Sequence, residues 1–233
     1  MPKERFFIDT PLKENETVSL EGTEFHHFAH VMKMEKGDEV DLVNGKGALS
    51  KATVVSVSRQ SASLKILSTS LTPLSPPRFI LAIPLMRPSK LEWVLEKGTE
   101  LGADAFWLYQ AEGSEKTGLS ENQQERFKTI AISAMKQCGR LDLPPIELYK
   151  NLDEILSQKA HFFFGDTREA PLLKEVHEAG PLVFITGPER GFSQKELALL
   201  SKKAKGVRLH QNILRAETAP IAAIAILNLW RKI

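Results

Sequence analysis

Along the first 72 residues, polar and apolar side chains alternate in short runs, the pattern typical of half-buried β-strands. We predict five strands, at residues 5–8, 17–20, 39–43, 51–57 and 63–67. Turn-forming residues separate some of them at 36–38 and 44–47, and a short helix is predicted within 22–34. The first part of the chain is therefore expected to form a small β-barrel.

After residue 78 the pattern changes to short apolar runs that alternate with stretches of helical periodicity. The apolar runs at 79–83, 105–109, 161–164 and 182–186 are typical of buried strands. Helices are predicted at 89–101, at 121–138, after Ser193 and at 219–230. This alternation predicts an α/β domain built on a mainly parallel sheet.

The predicted helices carry signals for their ends and their buried faces. Ser89 and Ser193 each precede a glutamate by three residues, which predicts a capping box at the start of two helices. Cys138 continues the apolar stripe of the helix at 121–138, so we expect its side chain in the core. The last helix is apolar almost all round, which indicates burial in a core or against a partner.

A proline-rich segment at 73–77 separates the two patterns, with three prolines in five positions. Proline cannot donate a main-chain hydrogen bond to a sheet and cannot continue a helix. The predicted organisation is therefore a β-domain at 1–72, a linker at 73–77 and an α/β domain at 78–233.

Composition narrows the function classes. The chain carries 31 Lys and Arg against 29 Asp and Glu, a net charge of +2, which excludes a strongly cationic nucleic-acid coat but not a local basic face. A single cysteine excludes an internal disulfide framework and a cysteine-based zinc cluster. No apolar run reaches membrane-spanning length and the start resembles no signal segment, so we expect a cytoplasmic protein.

A polar segment with two glycines, Gly187 and Gly191, follows the buried strand at 182–186. Glycines let main-chain amides approach a ligand, and open α/β sheets bind ligands at the carboxyl ends of their strands. A tight strand-to-helix turn explains the same residues, so both interpretations stay open at this point. The segment is neither a Walker A loop nor a dinucleotide-binding fingerprint.

A second polar segment, at 209–218, precedes the apolar last helix. Thr218 is a candidate N-cap for that helix and Pro220 suits its first turn. Arg215 and Glu217 either pair on the surface or, if they lie beside the first polar segment, form a functional pair of charges at a helix entrance.

Two smaller groups of polar residues are also candidates. Gly139 is a typical helix-ending residue, and Arg140 either interacts with the helix dipole or binds phosphate. His26 and His30 are four residues apart, but no acidic residue follows at the spacing of a zinc protease, so we expect no metal site.

Six motifs in order carry a resemblance to a known family. They are Arg5-Phe6-Phe7, His27-x-x-His30-Val31-Met32-Lys33-Met34, Lys90 through Glu100-Leu101-Gly102, Gln137-Cys138-Gly139-Arg140, Gly187-Pro188-Glu189-x-Gly191-Phe192-Ser193-x-x-Glu196 and Ile213-Leu214-Arg215-x-Glu217-Thr218-Ala219. From about residue 5 to 230, their order and spacing resemble the RsmE-type methyltransferases, which methylate N3 of a uridine in 16S ribosomal RNA of the small subunit.

The resemblance implies a PUA-like RNA-binding barrel, then a SPOUT domain with a C-terminal trefoil knot. It implies S-adenosylmethionine as methyl donor, small-subunit ribosomal RNA as partner, and a homodimer without membrane or metal. For the reaction so implied, our hypothesis is that Glu217 accepts the N3 proton and that Arg215 stabilises the charge on the uracil oxygens. The implied cofactor-binding residues are Ile185, Thr186, Gly187, Pro188, Glu189, Gly191, Leu209, Asn212, Ile213, Leu214, Thr218 and Ala219, and the implied RNA-binding residues are Arg5, Lys33 and Arg140.

Three residues depart from the family pattern. The family usually has glycine where this chain has Arg190, and glycine and arginine where it has His210 and Asn212. His210 thus stands where the backbone is expected to need a positive φ. Two alternatives stay open: a SPOUT methyltransferase with another RNA target, and an RNA-binding or ribosome-assembly protein with weakened catalysis.

Overall fold

The computed structural model describes residues 4–76, 78–114, 118–175, 178 and 180–230, so Pro77 of the predicted linker lies outside the described residues. The chain forms two compact units. Unit 1 comprises Met1–Ser75 and Ile132–Leu143, and unit 2 comprises Pro76–Ala131 and Pro144–Ile233. The sequence pattern contains no signal that the stretch Ile132–Leu143 packs with the N-terminal part of the chain.

Unit 1 is built on a five-stranded sheet with the strand order β1-β3-β4-β5-β2. Its strands are β1 (Arg5–Phe7), β2 (Thr17–Glu21), β3 (Glu39–Val43), β4 (Ala48–Val57) and β5 (Ser61–Leu71). Neighbouring strands are antiparallel, except that β1 and β3 are parallel. All five predicted strands are confirmed, and β4 and β5 are longer than predicted because they pair along almost their whole length.

The helix predicted within 22–34 is shorter and less regular than expected. Helix α1 (Gly22–His26) continues into a π-helical turn (His27–Val31). Phe28, in that turn, is buried and packs edge-on against Phe6 of β1, with 5.3 Å between ring centroids. The helical conformation ends there because Lys33 adopts a left-handed backbone with φ +53°.

Helix α3 (Glu121–Cys138) has the bounds that the sequence predicts, and its last residues belong to unit 1. Lys136 forms a 2.6 Å ion pair with Glu24, whose other carboxylate oxygen accepts a hydrogen bond from the main-chain N–H of Phe7. The Arg5 guanidinium donates a 2.7 Å hydrogen bond to the carbonyl oxygen of Gly139, just after the helix. These contacts attach the end of α3 to β1 and α1.

The prediction that Cys138 is a core residue is wrong, because its side chain is exposed. The buried stripe of α3 includes Phe127, Ala131, Ala134 and Met135 and stops there. Cys138 is the last helical residue, and the chain turns away at Gly139, where φ is +89°. No further element covers the next turn of the stripe among the described residues.

Unit 2 is built on a six-stranded sheet with the strand order β11-β9-β10-β6-β7-β8. Its strands are β6 (Phe79–Pro84), β7 (Ala105–Tyr109), β8 (Ile146–Tyr149), β9 (His161–Gly165), β10 (Leu182–Ile185) and β11 (Lys205–Val207). Every pairing is parallel, which confirms the predicted α/β sheet. Strands β6, β7 and β10 are buried at every position, as expected for strands covered on both faces.

In the part of unit 2 that the structure describes, four helices accompany this sheet besides α3. They are α2 (Pro88–Glu100), α4 (Leu152–Ile155), α5 (Gln194–Lys203) and α6 (Thr218–Asn228), and a 3₁₀ turn lies at Leu173–Glu175. The capping box predicted at Ser193 is confirmed, since Ser193 and Glu196 each bond the main-chain N–H of the other. The capping box predicted at Ser89 is wrong: α2 begins at Pro88, so Ser89 already lies in the first turn.

Helix α6 is buried along the face that meets the core. Ala223, Ile224 and Leu227 are fully buried, and the helix packs against α2 and β6. The predicted N-cap role of Thr218 is wrong, because Thr218 is the first helical residue and Glu217 occupies the N-cap position without a side-chain bond. In the described part of the chain, no helix combines the length and apolar character needed to cross a bilayer.

Candidate functional site

Three loops meet at one edge of the parallel sheet of unit 2. Loop 1 (residues 186–193) follows β10, loop 2 (208–217) follows β11 and loop 3 (166–171) follows β9. Because β9 pairs in parallel with both β10 and β11, the carboxyl ends of all three strands face the same edge. This is the edge at which open α/β sheets bind ligands.

The loops line a cavity of about 710 Å³, a volume within the usual range for a small-molecule site. Lys90, from the first turn of α2, and Ala219, from the first turn of α6, also line it, together with the ends of β9, β10 and β11 and one residue of α5. The fold thus brings together the two polar segments that the sequence presents separately. This arrangement favours the ligand-binding interpretation of loop 1 over a simple strand-to-helix turn.

Most residues predicted to bind a cofactor line this cavity. They are Thr186, Gly187, Pro188, Glu189, Gly191, Leu209, Asn212, Ile213, Leu214 and Ala219, and the predicted catalytic residues Arg215 and Glu217 line it as well. Ile185 is fully buried in β10 and Thr218 starts α6, and neither is part of the lining. The location agrees with the prediction, and the roles of these residues stay predictions.

The start of loop 1 is held by hydrogen bonds to two neighbouring strands. The main-chain N–H of Thr186 donates to the carbonyl oxygen of Ala82 at 2.9 Å, and the Tyr109 hydroxyl donates to the carbonyl oxygen of Thr186 at 2.7 Å. Farther along, the N–H of Gly191 donates to the carbonyl oxygen of Pro188 and closes a turn in which Gly191 has φ +77°. A side chain at that position would strain the backbone.

The end of loop 1 is fixed by Glu196, a carboxylate that is almost fully buried. One of its oxygens accepts a 2.8 Å hydrogen bond from the N–H of Ser193, and the other accepts a 3.1 Å hydrogen bond from the N–H of Glu112. Glu196 therefore joins loop 1 to the segment that follows β7. Burial, together with the charge of Glu196, raises the pKa of the Tyr109 hydroxyl well above its usual value, so Tyr109 stays a proton donor.

Lys90 connects loops 1 and 2 across the cavity. Its ammonium nitrogen lies 3.0 Å from Glu189 Oε1 of loop 1 and 3.3 Å from Glu217 Oε2 of loop 2. Oε2 of Glu217 is enclosed by protein, and its contact with Lys90 is an ion pair without hydrogen-bond geometry. No role for Lys90 is predicted from the sequence, because its two partners lie about 100 and 130 residues away along the chain.

The charges of this cluster stabilise one another. The hydrogen bond with Glu189 raises the pKa of Lys90, against the opposing effect of burial. Burial by itself would raise the pKa of Glu189, but Lys90, a main-chain hydrogen bond and the nearby charge of Arg87 together lower it. At neutral pH we therefore expect Lys90 to be positive and Glu189 negative.

Arg215 differs from the rest of the cluster because its side chain is 85% exposed, whereas that of Glu217 is 16% exposed. Arg215 Nη1 lies 3.9 Å from Glu217 Oε1, at the limit of an ion pair. The carbonyl oxygen of Arg215 accepts hydrogen bonds from the N–H groups of Thr218 and Ala219, which hold the main chain at the start of α6. The guanidinium itself extends from a fixed backbone toward solvent.

Loop 3 adds a pair of charges that the sequence analysis did not consider. Arg168 binds both carboxylate oxygens of Asp166, at 2.9 and 2.7 Å, and its main-chain N–H donates to the same carboxylate. These bonds to Arg168 lower the pKa of Asp166 despite its burial. Both residues line the cavity. An acidic residue directly after a buried strand was the signal that could have identified this pair.

The departures from the family pattern leave the cavity open. Arg190 is exposed and is not part of the cavity lining. His210 lines the cavity, and its Nδ1 accepts a 3.1 Å hydrogen bond from the main-chain N–H of Asn212. The expectation that position 210 needs a positive φ is wrong, because the non-glycine residues with positive φ in the described chain are Asn15 and Lys33.

The three residues predicted to bind RNA lie in unit 1. Arg5 bonds the carbonyl oxygen of Gly139, and Arg140 pairs with Asp142 while its side chain is only 13% exposed. Lys33 is exposed. Among the described residues no group of three or more His, Cys, Asp or Glu side chains is arranged to hold a metal ion.

Two family profiles match the chain. A family described as RNA methyltransferase domain matches residues 73–228, and a family described as RNA methyltransferase PUA domain matches residues 20–67. The first match covers all three loops of the cavity, and the second lies within unit 1.

Similar curated proteins share nearly the whole length of the chain. A ribosomal RNA small subunit methyltransferase E from Bacillus subtilis is 28% identical over 97% of this chain and 96% of its own. A protein of the same name from Synechocystis is 31% identical over 91% of this chain and 73% of its own.

Solved structures agree with the fold of both units. A ribosomal RNA small subunit methyltransferase E from Neisseria gonorrhoeae, bound to S-adenosyl methionine, superposes with a TM-score of 0.87 at 26% identity, covering 98% of each chain. A methyltransferase from Legionella pneumophila, in complex with the cofactor SAM, superposes with a TM-score of 0.90 over 99% of this chain. The second likeness, at 22% identity, supports the fold alone.

Proposed function

Because this chain belongs to the ribosomal RNA small subunit methyltransferase E family of RNA methyltransferases, we propose that it transfers the methyl group of S-adenosylmethionine to N3 of a uridine in 16S ribosomal RNA. The observation that carries the proposal is the cavity at the carboxyl edge of the parallel sheet, where loops 1 and 2 come together. The matching relatives extend over the same two units.

The cavity fits a ligand with the size and polarity of S-adenosylmethionine. Two lining residues, Thr186 and Glu217, carry buried side-chain oxygens without a hydrogen-bond partner in the protein, and such atoms normally find one in a ligand or in water. The carboxylates of Glu189 and Glu217 suit a positively charged group. When bound, S-adenosylmethionine supplies a methyl group that is already activated on a sulfonium.

In our proposal, loops 1 and 2 bind different parts of this cofactor. The main-chain groups of Leu209, Ile213 and Leu214 contact the adenine, and Gly187 and Gly191 leave room for the ribose and the methionine portion. The fixed loops align the two reactants before the reaction, so less entropy is lost on reaching the transition state than in solution. This alignment supplies a large part of the rate acceleration.

Glu217 and Arg215 act on the uridine in the proposed reaction. A neutral uridine N3 carries a proton and has no free lone pair, so Glu217 accepts that proton while the N3–methyl bond forms and the methyl–sulfur bond breaks, with a neutral thioether as leaving group. Arg215 stabilises the negative charge that spreads onto the uracil oxygens. The exposed Arg215 suits a group that meets the RNA, and the enclosed Glu217 suits a base inside the cavity.

The RNA reaches the cavity as an unpaired or flipped nucleotide, because N3 is occupied in a base pair. We propose that Arg5, Lys33 and Arg140 of unit 1 contact RNA phosphates, which makes binding sensitive to salt. Lys33 is the exposed member of this group, and Arg5 and Arg140 would exchange a protein partner for a phosphate. The substrate places the proposed reaction in the cytoplasm.

The assembly we propose is a homodimer of knotted chains. Leu229 at the end of the apolar helix α6 is 80% exposed, which suits contact with a second copy. The return of loop 2 from the sheet edge at β11 to α6, which packs on the 3₁₀ turn at Leu173–Glu175 and on β6, is compatible with a trefoil knot.

The test is incubation of the full chain with methyl-labelled S-adenosylmethionine and either free 16S RNA or reassembled small subunits. Mass spectrometry of the nucleosides and primer extension then identify the product, because N3 methylation blocks base pairing. We expect one labelled N3-methyluridine, and at least an order of magnitude less with Glu217→Gln. Label at another position or RNA would favour a different target, and RNA binding without transfer would favour an assembly protein.

A further inference from the structure

The cavity lining includes a charged side chain, Lys90 of α2, to which the proposed reaction gives no role. Among the described residues it is the one charged lining residue that lies outside loops 1 to 3. Its ammonium contacts a carboxylate from loop 1 and a carboxylate from loop 2, and its side chain is 30% exposed. A partly desolvated ammonium between two loops can control how the loops face each other.

We propose that Lys90 is a positioning residue for methyl transfer, which holds Glu189 of loop 1 and Glu217 of loop 2 on one ammonium and so keeps Glu217 directed into the cavity. The inference rests on the proposed function, in which Glu217 accepts a proton. It concerns how Glu217 is made fit for that task, and Lys90 itself need not touch the uridine or the cofactor.

The geometry gives Lys90 an effect that a fully exposed lysine would not have. Both carboxylates lie within 3.3 Å of its nitrogen, so without the ammonium two like charges would face each other across the cavity. Like charges at short range repel, so loops 1 and 2 would be pushed apart and Glu217 would no longer be held toward the cavity. A Glu217 that is not held in place cannot reach the proton on N3.

The other charged groups near Glu217 do not replace Lys90. Arg215, on the same loop, lies 3.9 Å from Glu217 but is 85% exposed, so water screens its charge. Arg87, which precedes α2, acts on Glu189 of loop 1. Glu189 itself is negative and repels Glu217. Among these groups, Lys90 is the cation that is both near Glu217 and partly withdrawn from solvent.

The chain offers a matched control for Lys90 on the same helix. Lys97 also joins two carboxylates, Glu96 at 2.7 Å and Glu100 at 2.8 Å, and its side chain is 35% exposed. It is not part of the cavity lining. Lys97→Gln therefore removes an equivalent ion-pair cluster from α2 without changing the site.

The experiment compares full-length wild type with Lys90→Gln, Lys90→Arg and Lys97→Gln. For RNA methylation, kcat and KM are measured separately, and affinity for S-adenosylmethionine is measured by calorimetric titration. In Lys90→Gln we expect kcat to fall about 10-fold or more, because Glu217 is no longer held in position, while KM for RNA and affinity for S-adenosylmethionine change less than about twofold. Lys90→Arg should restore much of the loss, and Lys97→Gln should match wild type.

An unchanged kcat in a folded Lys90→Gln variant, or an equal fall of kcat in Lys97→Gln, would overturn the inference. Circular dichroism checks the fold, and if Lys90→Gln does not fold, the comparison of Lys90→Arg with wild type decides by the same kcat and KM. Failure of the proposed function has a different signature, because wild type would then not methylate the RNA at all.

Discussion

The hydroxyl of Tyr109 donates a 2.7 Å hydrogen bond to the carbonyl oxygen of Thr186, and both residues are buried. Tyr109 is the last residue of β7, whereas Thr186 is the first residue of loop 1 after β10. Strand β6 lies between these two strands in the sheet. The bond therefore fixes the direction in which loop 1 leaves the sheet, and with it one wall of the cavity.

Replacing Tyr109 with Phe should weaken both the fold and the site. The carbonyl oxygen of Thr186 would lose its side-chain donor in a buried environment, which costs about 1–3 kcal/mol of unfolding free energy. We also expect weaker binding of S-adenosylmethionine, because the start of loop 1 is no longer held. Urea denaturation measures the first effect and calorimetric titration the second.

Tyr149→Phe is the matched control for that variant. Tyr149 donates a 2.9 Å hydrogen bond to Glu147, but this bond is exposed and water can replace it. We expect a loss of less than about 1 kcal/mol and unchanged cofactor binding. Equal losses in the two variants would show that the Tyr109 bond has no special role.

Protonation of Asp166 should contribute to the loss of folding stability at low pH. Its pKa is lowered by Arg168 in the folded chain, so its contribution is fully present above its ordinary pKa near 3.8 and is lost as the pH falls through the lower, folded value. Because Arg168 is 62% exposed, this contribution is less than about 1 kcal/mol. In urea titrations from about pH 5 to about pH 2, Asp166→Asn should lose less stability than wild type.

The control for this prediction is Asp153→Asn. Asp153 is 71% exposed and lies 3.8 Å from Lys203, so its ion pair is weak. The stability of Asp153→Asn in urea should fall with decreasing pH as that of wild type does. If Asp166→Asn also follows wild type, the ion pair with Arg168 does not contribute to stability.

Gly47 and Gly22 allow strain and steric overlap to be separated in unit 1. Both have positive φ, at +89° and +61°. An added Cβ at Gly22 meets nothing within 4 Å, whereas at Gly47 it would lie 2.2 Å from the carbonyl oxygen of Thr72. Gly22→Ala should cost about 1–2 kcal/mol, and Gly47→Ala should cost about 1–3 kcal/mol more. Similar urea midpoints for the two variants would contradict this difference.

Periodicity predicts the elements of this chain well where each element is long or fully buried. The helix at Glu121–Cys138 and the buried strands β6, β7, β9 and β10 follow from pattern alone. The short strands β8 and β11 do not, because four and three residues are too few to display a period. Each of them forms by pairing with a strand that is distant in the sequence, so a local pattern does not predict it.

The site shows the same division between local and distant information. Loops 1 and 2 are recognisable because the glycines of loop 1 and the charged residues of loop 2 are close together within each segment of the sequence. Lys90, Asp166 and Arg168 are not predicted, because in the sequence they are ordinary charged residues. Only the fold places them in the cavity lining. The N-cap expected at Thr218 fails for a related reason, since Glu217 is drawn into the cavity and occupies that position.

Arg215→Ala should separate cofactor binding from methyl transfer. The side chain is 85% exposed and makes no contact closer than 3.9 Å to Glu217, so its removal should leave the unfolding free energy unchanged within about 0.5 kcal/mol. Affinity for S-adenosylmethionine should also be unchanged. The rate of RNA methylation should fall about 100-fold, because charge on the uracil oxygens is no longer stabilised.

The control for Arg215→Ala is Arg126→Ala, which removes another exposed arginine, 61% accessible and 3.4 Å from Glu92, away from the cavity lining. Single-turnover methylation with saturating cofactor compares the two variants at equal ionic strength, because loss of any surface cation weakens RNA binding. Arg126→Ala should change the rate less than about twofold once RNA is saturating, since it does not meet the uridine. A rate for Arg215→Ala equal to that of Arg126→Ala would mean that Arg215 only attracts RNA, and the stabilising role would then belong to another cation of the cavity.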